Sequence, residues 1–553
     1  MATIEADPYS ETYGIPPDVY HRRKAILAVL CLSLVIIVVA VSSLNVAIPT
    51  LQRELGATPT QLQWIIDSYA LVFAGFLLPA GALGDRFGRK GALIFGLVVF
   101  GVCAGLASQA TSPEMLIAMR AMAGLGAAFI MPATLSIVTN SFPVHERQKA
   151  IATWAGLAGA GGAIGPIVSG LLLEHFWWGS IFFVNIPLIA LLLVLTVFIV
   201  PTSKDPAGHP LDPIGAGLSV VGLVALVFAI IEGPEWGWLS PEVLAVFATA
   251  AIFLVGFVVW ELRTTNPTLD PRLFKLPGFG MGSLAICLSF FCMFGMFFLL
   301  TQYLQFVQGD SPLMAGVKTL PSAAVLVLIS PRSPVIVGRL GVKHTIRLGY
   351  LCSALGFVGM ALLVEGTPYW HFAVSIMLIA AGIGLVMPPA TSSIISSLPM
   401  AKAGVGSAVN DVTREVGGAL GIAVLGSIVN TLYSSHLDLS AVQAQIPPAG
   451  EAQFAEAQPA IEEGIGPALG VVEGIRQSGI PGISQIAAGI EHAARTAFTD
   501  ATSVAFFVSA AVAVIAGVVV STFIPDRIEG LQHSEVLEIE TKVGAEVSTE
   551  AAR

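Results

Sequence analysis

Apolar residues follow one another along this chain in blocks of about twenty, separated by short polar connections. A helix needs about 20 such residues to cross ~30 Å of hydrocarbon. That length places fourteen spans, at about 25–47, 62–84, 91–109, 113–138, 150–173, 181–200, 213–231, 243–261, 279–303, 314–335, 345–364, 371–396, 404–430 and 502–524. Pro321, Pro331 and Pro334 interrupt the tenth, so its helix should bend or break there. The expected fold class is an all-α polytopic membrane protein.

Composition removes the soluble alternatives. Only 11% of the 553 residues are charged against 55% hydrophobic, and mean hydropathy is +0.83. A soluble chain carries roughly 25% charged residues. A soluble enzyme, a disordered tail protein and a nucleic-acid binder are therefore excluded. The net charge of −10 sits mostly in loops and the C-terminal tail and implies no basic partner. Cys31, Cys103, Cys287, Cys292 and Cys352 all lie in apolar runs, with neither metal-ligand spacing nor a disulfide framework. Residues 1–20 are polar and acidic and lack a short apolar core with a small-residue cleavage site, so no cleaved signal peptide is expected.

Lys and Arg fix the direction of the spans, because they concentrate in short cytoplasmic loops. Arg22, Arg23 and Lys24 precede span 1. Arg86, Arg89 and Lys90 follow span 2; Arg147 and Lys149 follow span 4; Lys204 follows span 6. Arg263, Arg272 and Lys275 follow span 8; Arg339, Lys343 and Arg347 follow span 10; Lys402 follows span 12. The alternate loops are nearly free of basic residues, and the one after span 7 holds Glu232, Glu235 and Glu242 instead. Both termini are expected to be cytoplasmic. The external stretch 432–500 is acidic and rich in Ala, Gly, Pro and Gln. It reads as a solvated, mobile loop, or else a lid or funnel, with an amphipathic helix at 481–499. The tail after Pro525 reads as disordered.

The chain also repeats itself. Gly124-Leu125-Gly126 leads to Met131-Pro132-Ala133-Thr134, and Gly382-Ile383-Gly384 leads to Met387-Pro388-Pro389-Ala390-Thr391. Arg86-Phe87-Gly88-Arg89-Lys90 is echoed by Arg339-Leu340-Gly341-Val342-Lys343. Both pairs keep the same membrane direction, which predicts two parallel six-helix bundles. The expected organisation is a cytoplasmic segment 1–24, a bundle 25–200, an inserted two-helix hairpin 201–275, a second bundle 276–525 and a tail 526–553.

Two strings carry a family resemblance. The first is Gly81-Ala82-Leu83-Gly84-Asp85-Arg86-Phe87-Gly88-Arg89-Lys90-Gly91. Gly84 and Gly88 permit a tight turn, and Asp85 just before span 3 suits a helix N-terminus. This string resembles the signature loop of the major facilitator superfamily. The second lies in span 5, where Gly161, Gly165, Pro166 and Gly170 place small residues at close helical spacing, which lets backbones touch. It resembles the antiporter motif of that superfamily's exporters, with Ala152 and Ser169 at positions where glycine is common. With Tyr303-Leu304-Gln305-Phe306-Val307-Gln308-Gly309-Asp310-Ser311-Pro312 and Gly404-Val405-Gly406-Ser407-Ala408-Val409-Asn410, the whole of residues 25–525 resembles the 14-spanner drug:proton antiporter branch. One departure matters. The branch commonly has an acidic residue five positions before the Asn of Asn45-Val46-Ala47-Ile48-Pro49, and here that position is Ala40.

Ionisable residues inside hydrocarbon cost at least ~2.5–3.5 kcal/mol each, so each is a functional candidate. They are Asp67 on span 2, Arg120 on span 4, and Asp411, Arg414 and Glu415 on span 13. Asp411 and Glu415 lie four apart on one face, where like charges favour sharing a proton. Arg414, about 100° round the helix, is expected to pair elsewhere. Arg120 aligns with an Arg that the family links to proton transfer. Proton coupling is thus expected of Asp67, Arg120, Asp411 and Glu415. Conformational switching is expected of Gly81, Asp85, Arg86, Gly88, Arg89, Lys90 and the span-5 residues Gly161, Gly165, Pro166 and Gly170, with span 5 sealing against Gly417, Gly418 and Gly421 of span 13. Substrate contact is expected of Asn45, Trp64, Tyr69, Phe294, Phe298, Gln302, Tyr303 and Asn410. Span 9 supplies the Met and Phe surface that suits varied ligands.

The resemblance implies export of amphipathic or cationic small molecules in exchange for protons, by a multi-pass cell-membrane protein needing no cofactor beyond the proton gradient and acting as a monomer on a small-molecule substrate, with lipid but no nucleic acid as a partner. Two other readings stay open: a dedicated exporter of one metabolite, lipid or siderophore, and a polytopic membrane enzyme.

Overall fold

The computed structural model describes residues 15–204, 210–398, 402–446, 451–477 and 483–526. Residues 1–14 of the predicted first segment, residues 527–553 of the predicted tail and residues 481–482 of the predicted amphipathic helix lie outside the described residues. Helices dominate because their starts are written into the chain. Five begin with a Ser, Thr or Asp followed by Pro: Thr58-Pro59, Ser112-Pro113, Asp212-Pro213, Ser240-Pro241 and Ser311-Pro312. The side-chain oxygen accepts an otherwise orphaned backbone N–H, and Pro at the first helical position lacks the N–H it would have wasted. Thr58 and Gln61 complete a reciprocal capping box.

The long helices are α1 (Pro17–Leu55), α2 (Pro59–Phe87), α3 (Arg89–Ala107), α4 (Pro113–Ser141), α5 (Val144–His175), α6 (Asn185–Ile199), α7 (Pro213–Trp236) and α8 (Pro241–Arg263). They continue as α9 (Pro277–Gln302, extended by a π turn Tyr303–Val307), α10 (Pro312–Ile329), α11 (Ser333–Ala361), α12 (Tyr369–Ser396), α13 (Ala403–His436) and α14 (Ile483–Phe523). Among the described residues, 13 helical segments are long and apolar enough to cross a membrane. One of them, Leu313–Ala361, runs for 49 residues, over twice the ~20 that a crossing needs. It covers the tenth and eleventh predicted spans. The chain turns inside it at Gly341, whose φ of 80° and ψ of 167° lie where a Cβ would be strained. The prolines at 331 and 334 produce a single 3₁₀ turn, Ser330–Arg332.

The packing follows one pattern twice. α1 lies on α5 and α6, α2 on α4, and α3 on α4 and α6; α9 lies on α13 and α14, α10 on α12, and α11 on α12 and α14. The two sets meet along α2 with α13 and along α5 with α10. α7 packs on both α2 and α13, so the hairpin lies across that seam, with α8 outside it. Gly75 of α2 makes room for Val220 and Val224 of α7, and Trp64 meets Phe228 at 5.8 Å. Trp238, after α7, donates to Ser427 Oγ of α13 at 3.0 Å. Glu232, read as a loop residue, is instead buried inside α7.

Stretch 432–500 departs from the loop reading. Helices Glu451–Glu463 and Ile465–Gln477 occupy it, and residues 483–499 form the start of α14. Ile461, Ile465, Ala468 and Val472 form a buried stripe, and the Tyr433 hydroxyl donates to the Ile461 carbonyl at 3.0 Å. Arg495 pairs with Glu491 at 2.7 Å and with Glu365 at 3.3 Å, and Arg476 pairs with Glu491.

Candidate transport pathway and its closures

At the end of the molecule rich in Lys and Arg, one carboxylate ties the two helix sets together. Asp85 occupies the last turn of α2 and is 6% exposed. It accepts backbone N–H bonds from Gly404 at 3.0 and 2.9 Å and from Val405 at 3.2 Å. These are orphan donors at the start of α13. The sequence suggested that Asp85 would serve the N-terminus of α3; it serves α13, 319 residues away. Arg89 holds the same carboxylate at 2.7 Å and is itself buried. One turn earlier, a Cβ on Gly81 would lie 2.7 Å from the Gly404 carbonyl oxygen, so a side chain there would force the sets apart. Gly88, at φ 120°, makes the turn into α3, and Arg89 N donates to Ser203 O at 2.9 Å. Lys90 reaches the Val197 carbonyl at 2.8 Å, and Arg86 stacks near Phe87. The echo in the second set has Gly338 in the place of Asp85. Its Val342 and Lys343 amides bond to Asp526, so that loop is fastened to the chain after α14 and not across a seam.

The glycine stripe of α5 faces two ways. Cβ atoms at Gly161 and Gly165 would meet α1: Val38 at 3.0 Å from Gly161, and Ser42 Oγ at 1.9 Å and the Val39 carbonyl oxygen at 2.8 Å from Gly165. Ser43 donates to Gly165 O at 3.0 Å and Ser169 to Ser43 O at 2.8 Å. Gly159 and Gly170 instead meet Leu326 and Leu313 of α10, Gly156 meets Ser330 just after it, and Pro166 meets Gly316. The expected contact between α5 and α13 is not the one made. Gly417 and Gly421 of α13 press on Cys287 and Phe291 of α9, and Gly418 on Phe294. In each set the small-residue helix packs on the first helix of its own set, because a smooth face meets whichever backbone the topology puts beside it.

Several polar groups of the apolar helices are buried or half-buried. Arg120 is buried, donates to Ile65 O at 3.0 Å and lies 4.4 Å from the centre of the Tyr69 ring. The buried Tyr69 hydroxyl has no hydrogen-bond partner among the described residues, and Glu415 of α13 stands within its electrostatic range. Asp67 is half-buried on α2. Asp411 is buried and bonds Arg414 at 3.4 Å, so Arg414 pairs on its own helix and not elsewhere. Asn410 links this pair to α12, accepting from Thr391 at 3.0 Å and donating to Asp411 at 3.4 Å. Arg414 also faces Phe290 of α9 at 4.6 Å and Trp154 of α5 at 6.0 Å. Trp154, which the sequence did not single out, is fully buried and donates to Thr134 of α4 at 3.2 Å.

The expected substrate residues are dispersed. Trp64 packs on the hairpin. Phe298 is 42% exposed, on the outer surface beside Gly426. Tyr303 is buried and donates to Val364 O at 3.0 Å, and Gln302 is half-buried. The side chain of Asn45 lies outside the described residues. A cavity of about 30 Å³ is lined by Gly159, Met293, Met296, Phe297, Leu326 and Ile383, among others. That volume suits about one water, whereas a drug-sized solute needs roughly 300–1,000 Å³. A solute of that size does not fit this cavity unless the helices around it move apart.

Two helix sets, meeting at a polar seam within apolar crossings, are the build of a multi-pass membrane transporter. The chain belongs to the Major Facilitator Superfamily, whose sequence model matches residues 30–422. It is 36% identical over 421 residues to the multidrug efflux pump LfrA of Mycolicibacterium smegmatis, covering 76% of this chain and 83% of that one. It is 30% identical over 519 residues to the tetracenomycin C resistance and export protein of Streptomyces glaucescens, covering 92% and 95%. The solved structure of the proton:xylose symporter XylE superposes with a TM-score of 0.58 at 13% identity, over 96% of this chain and 100% of that one. That last likeness concerns the fold alone.

Proposed function

We propose that this protein exports amphipathic or cationic small molecules in exchange for protons, by alternating access between two parallel six-helix halves, α1–α6 and α9–α14. The observation that carries this reading is the buried polar cluster at the seam. Arg120 and Tyr69 on one half and Asp411 and Arg414 on the other are buried, Glu415 lies within electrostatic range of Tyr69 and Arg414 reaches Trp154 across the seam, in a family of transporters whose relatives include named efflux and export proteins. The basic end, with Arg23, Arg89, Lys90 and Lys402, is the cytoplasmic one, and both termini lie there. The Asp85 clamp then closes the cytoplasmic path, and its release opens it. The energy source is the proton gradient, and the unit is one chain.

A carboxyl that takes up a proton loses its attraction for a cation, which is the elementary exchange that an antiporter needs. Asp67 and Glu415 are the proton acceptors in this scheme, with Asp411 third, because Ala40 leaves residues 25–47, the apolar part of α1, without a carboxylate. Asp67→Asn and Glu415→Gln should each insert normally but export no faster with a proton gradient than without one. Gradient-stimulated export at the wild-type rate in both variants, measured in everted vesicles, would remove the assignment.

A further inference from the structure

The export reading leaves Arg414 without a task, and the inference below rests on that reading. Arg414 belongs to the second half, yet its guanidinium stands between aromatic rings from both: Phe290 at 4.6 Å and Trp154, across the seam, at 6.0 Å. Aromatic faces with a carboxylate beside them are the features by which proteins recognise organic cations. The same molecule shows how firmly it can fasten an arginine. Arg89 meets Asp85 at 2.7 Å, and that carboxylate is otherwise filled by backbone donors. Arg414 is held differently. Its ion pair with Asp411 is 3.4 Å long, beyond the ~2.7–2.9 Å of a good charge-assisted bond. Its buried Nε and the buried Asp411 Oδ2 both lack partners among the described residues. Asp411 bonds this guanidinium, and a second carboxylate, Glu415, lies within its electrostatic range.

We propose that Arg414 is a tethered competitor: its guanidinium occupies a site, formed by Trp154, Phe290, Asp411 and Glu415, that receives planar organic cations with delocalised charge. An arriving cation takes the aromatic faces and the free carboxylate oxygen, and Arg414 swings aside. Because the site uses residues from both halves, exchanging the tether for a free cation also changes what holds the halves together. Hard inorganic cations gain little there, since aromatic walls cannot replace their hydration. Neutral and anionic solutes have no charge with which to displace the tether.

The test uses the purified full-length protein at equilibrium, with no gradient, and ethidium as the planar monocation. Removing the tether's charge by Arg414→Gln should tighten ethidium binding about tenfold. Arg414→Lys, which keeps the charge, should bind as wild type. Adding Phe290→Leu to Arg414→Gln should cancel the gain. A neutral probe, N-phenyl-1-naphthylamine, should bind all of these proteins equally. Ethidium binding that is unchanged, weaker or absent in a monodisperse Arg414→Gln protein overturns the proposal, and so does an equal gain for the neutral probe. Export by the wild-type protein in liposomes is a separate measurement, so loss of the export reading and loss of this inference are told apart.

Discussion

Gly165→Leu is expected to yield a protein that inserts into the membrane, exports nothing and leaks protons. The bare Cβ already lies 1.9 Å from Ser42 Oγ and 2.8 Å from the Val39 carbonyl oxygen. The hydroxyl can rotate away, but the backbone oxygen cannot. A leucine must therefore push α5 off α1 by an ångström or more, because close approach in membranes depends on small residues. The shift also breaks the bonds from Ser43 to Gly165 O and from Ser169 to Ser43 O, worth about 1 kcal/mol each. With α5 displaced, its opposite contacts at Gly156 and Gly159 on α10 lose their fit, and one seam between the halves opens. Gly162, three positions earlier, is the control. Nothing lies within 4 Å of its Cβ, so Gly162→Ala should be nearly silent. Efflux and proton leak in liposomes decide between them, and equal behaviour of the two variants would sink the packing account.

Asp85→Asn should slow export by roughly a hundredfold while leaving equilibrium substrate affinity within about threefold. The wild-type carboxylate satisfies Gly404, Val405 and Arg89 together. A carboxamide has a single acceptor oxygen, carries no charge, and turns an NH₂ toward one of those donors. Hydrogen bonds to a buried charge contribute about 1.5–3 kcal/mol each, so losing one or two biases the closed-to-open equilibrium by about two powers of ten. The residue touches no part of the polar cluster, which is why affinity should hold. Affinity falling in step with rate would contradict this role.

The contrast between these two sites shows what the sequence discloses. The apolar blocks, the basic connections and the string around Asp85 were all legible, because hydropathy, charge and turn glycines act locally. The small-residue face of α5 was legible too, but its partner was not. A helix reports its own periodicity and is silent on which of its neighbours it meets. Asp85 was recognised as a helix-terminus carboxylate and assigned to the adjacent helix, whereas the first backbone N–H it accepts, that of Gly404, lies 319 residues away. Arg414 was turned away from its carboxylate by helical geometry alone; a long, flexible side chain at i,i+3 can still reach back to Asp411. Two signals went unread. Ile461, Ile465, Ala468 and Val472 have helical spacing, hidden by the Glu, Gly and Pro residues between them. Ser169, read as a departure from glycine, forms one of the bonds that fasten α5 to α1.

The central claim is exchange of protons for a cation, and one assay reaches it directly. Purified protein is placed in liposomes with an acidic interior, and ethidium is added outside while lumenal pH is followed with a trapped dye. Antiport predicts that ethidium enters and the lumen becomes alkaline, at a rate set by ethidium and only in protein-containing liposomes. Ethidium uptake that leaves lumenal pH untouched and ignores the gradient would contradict the account.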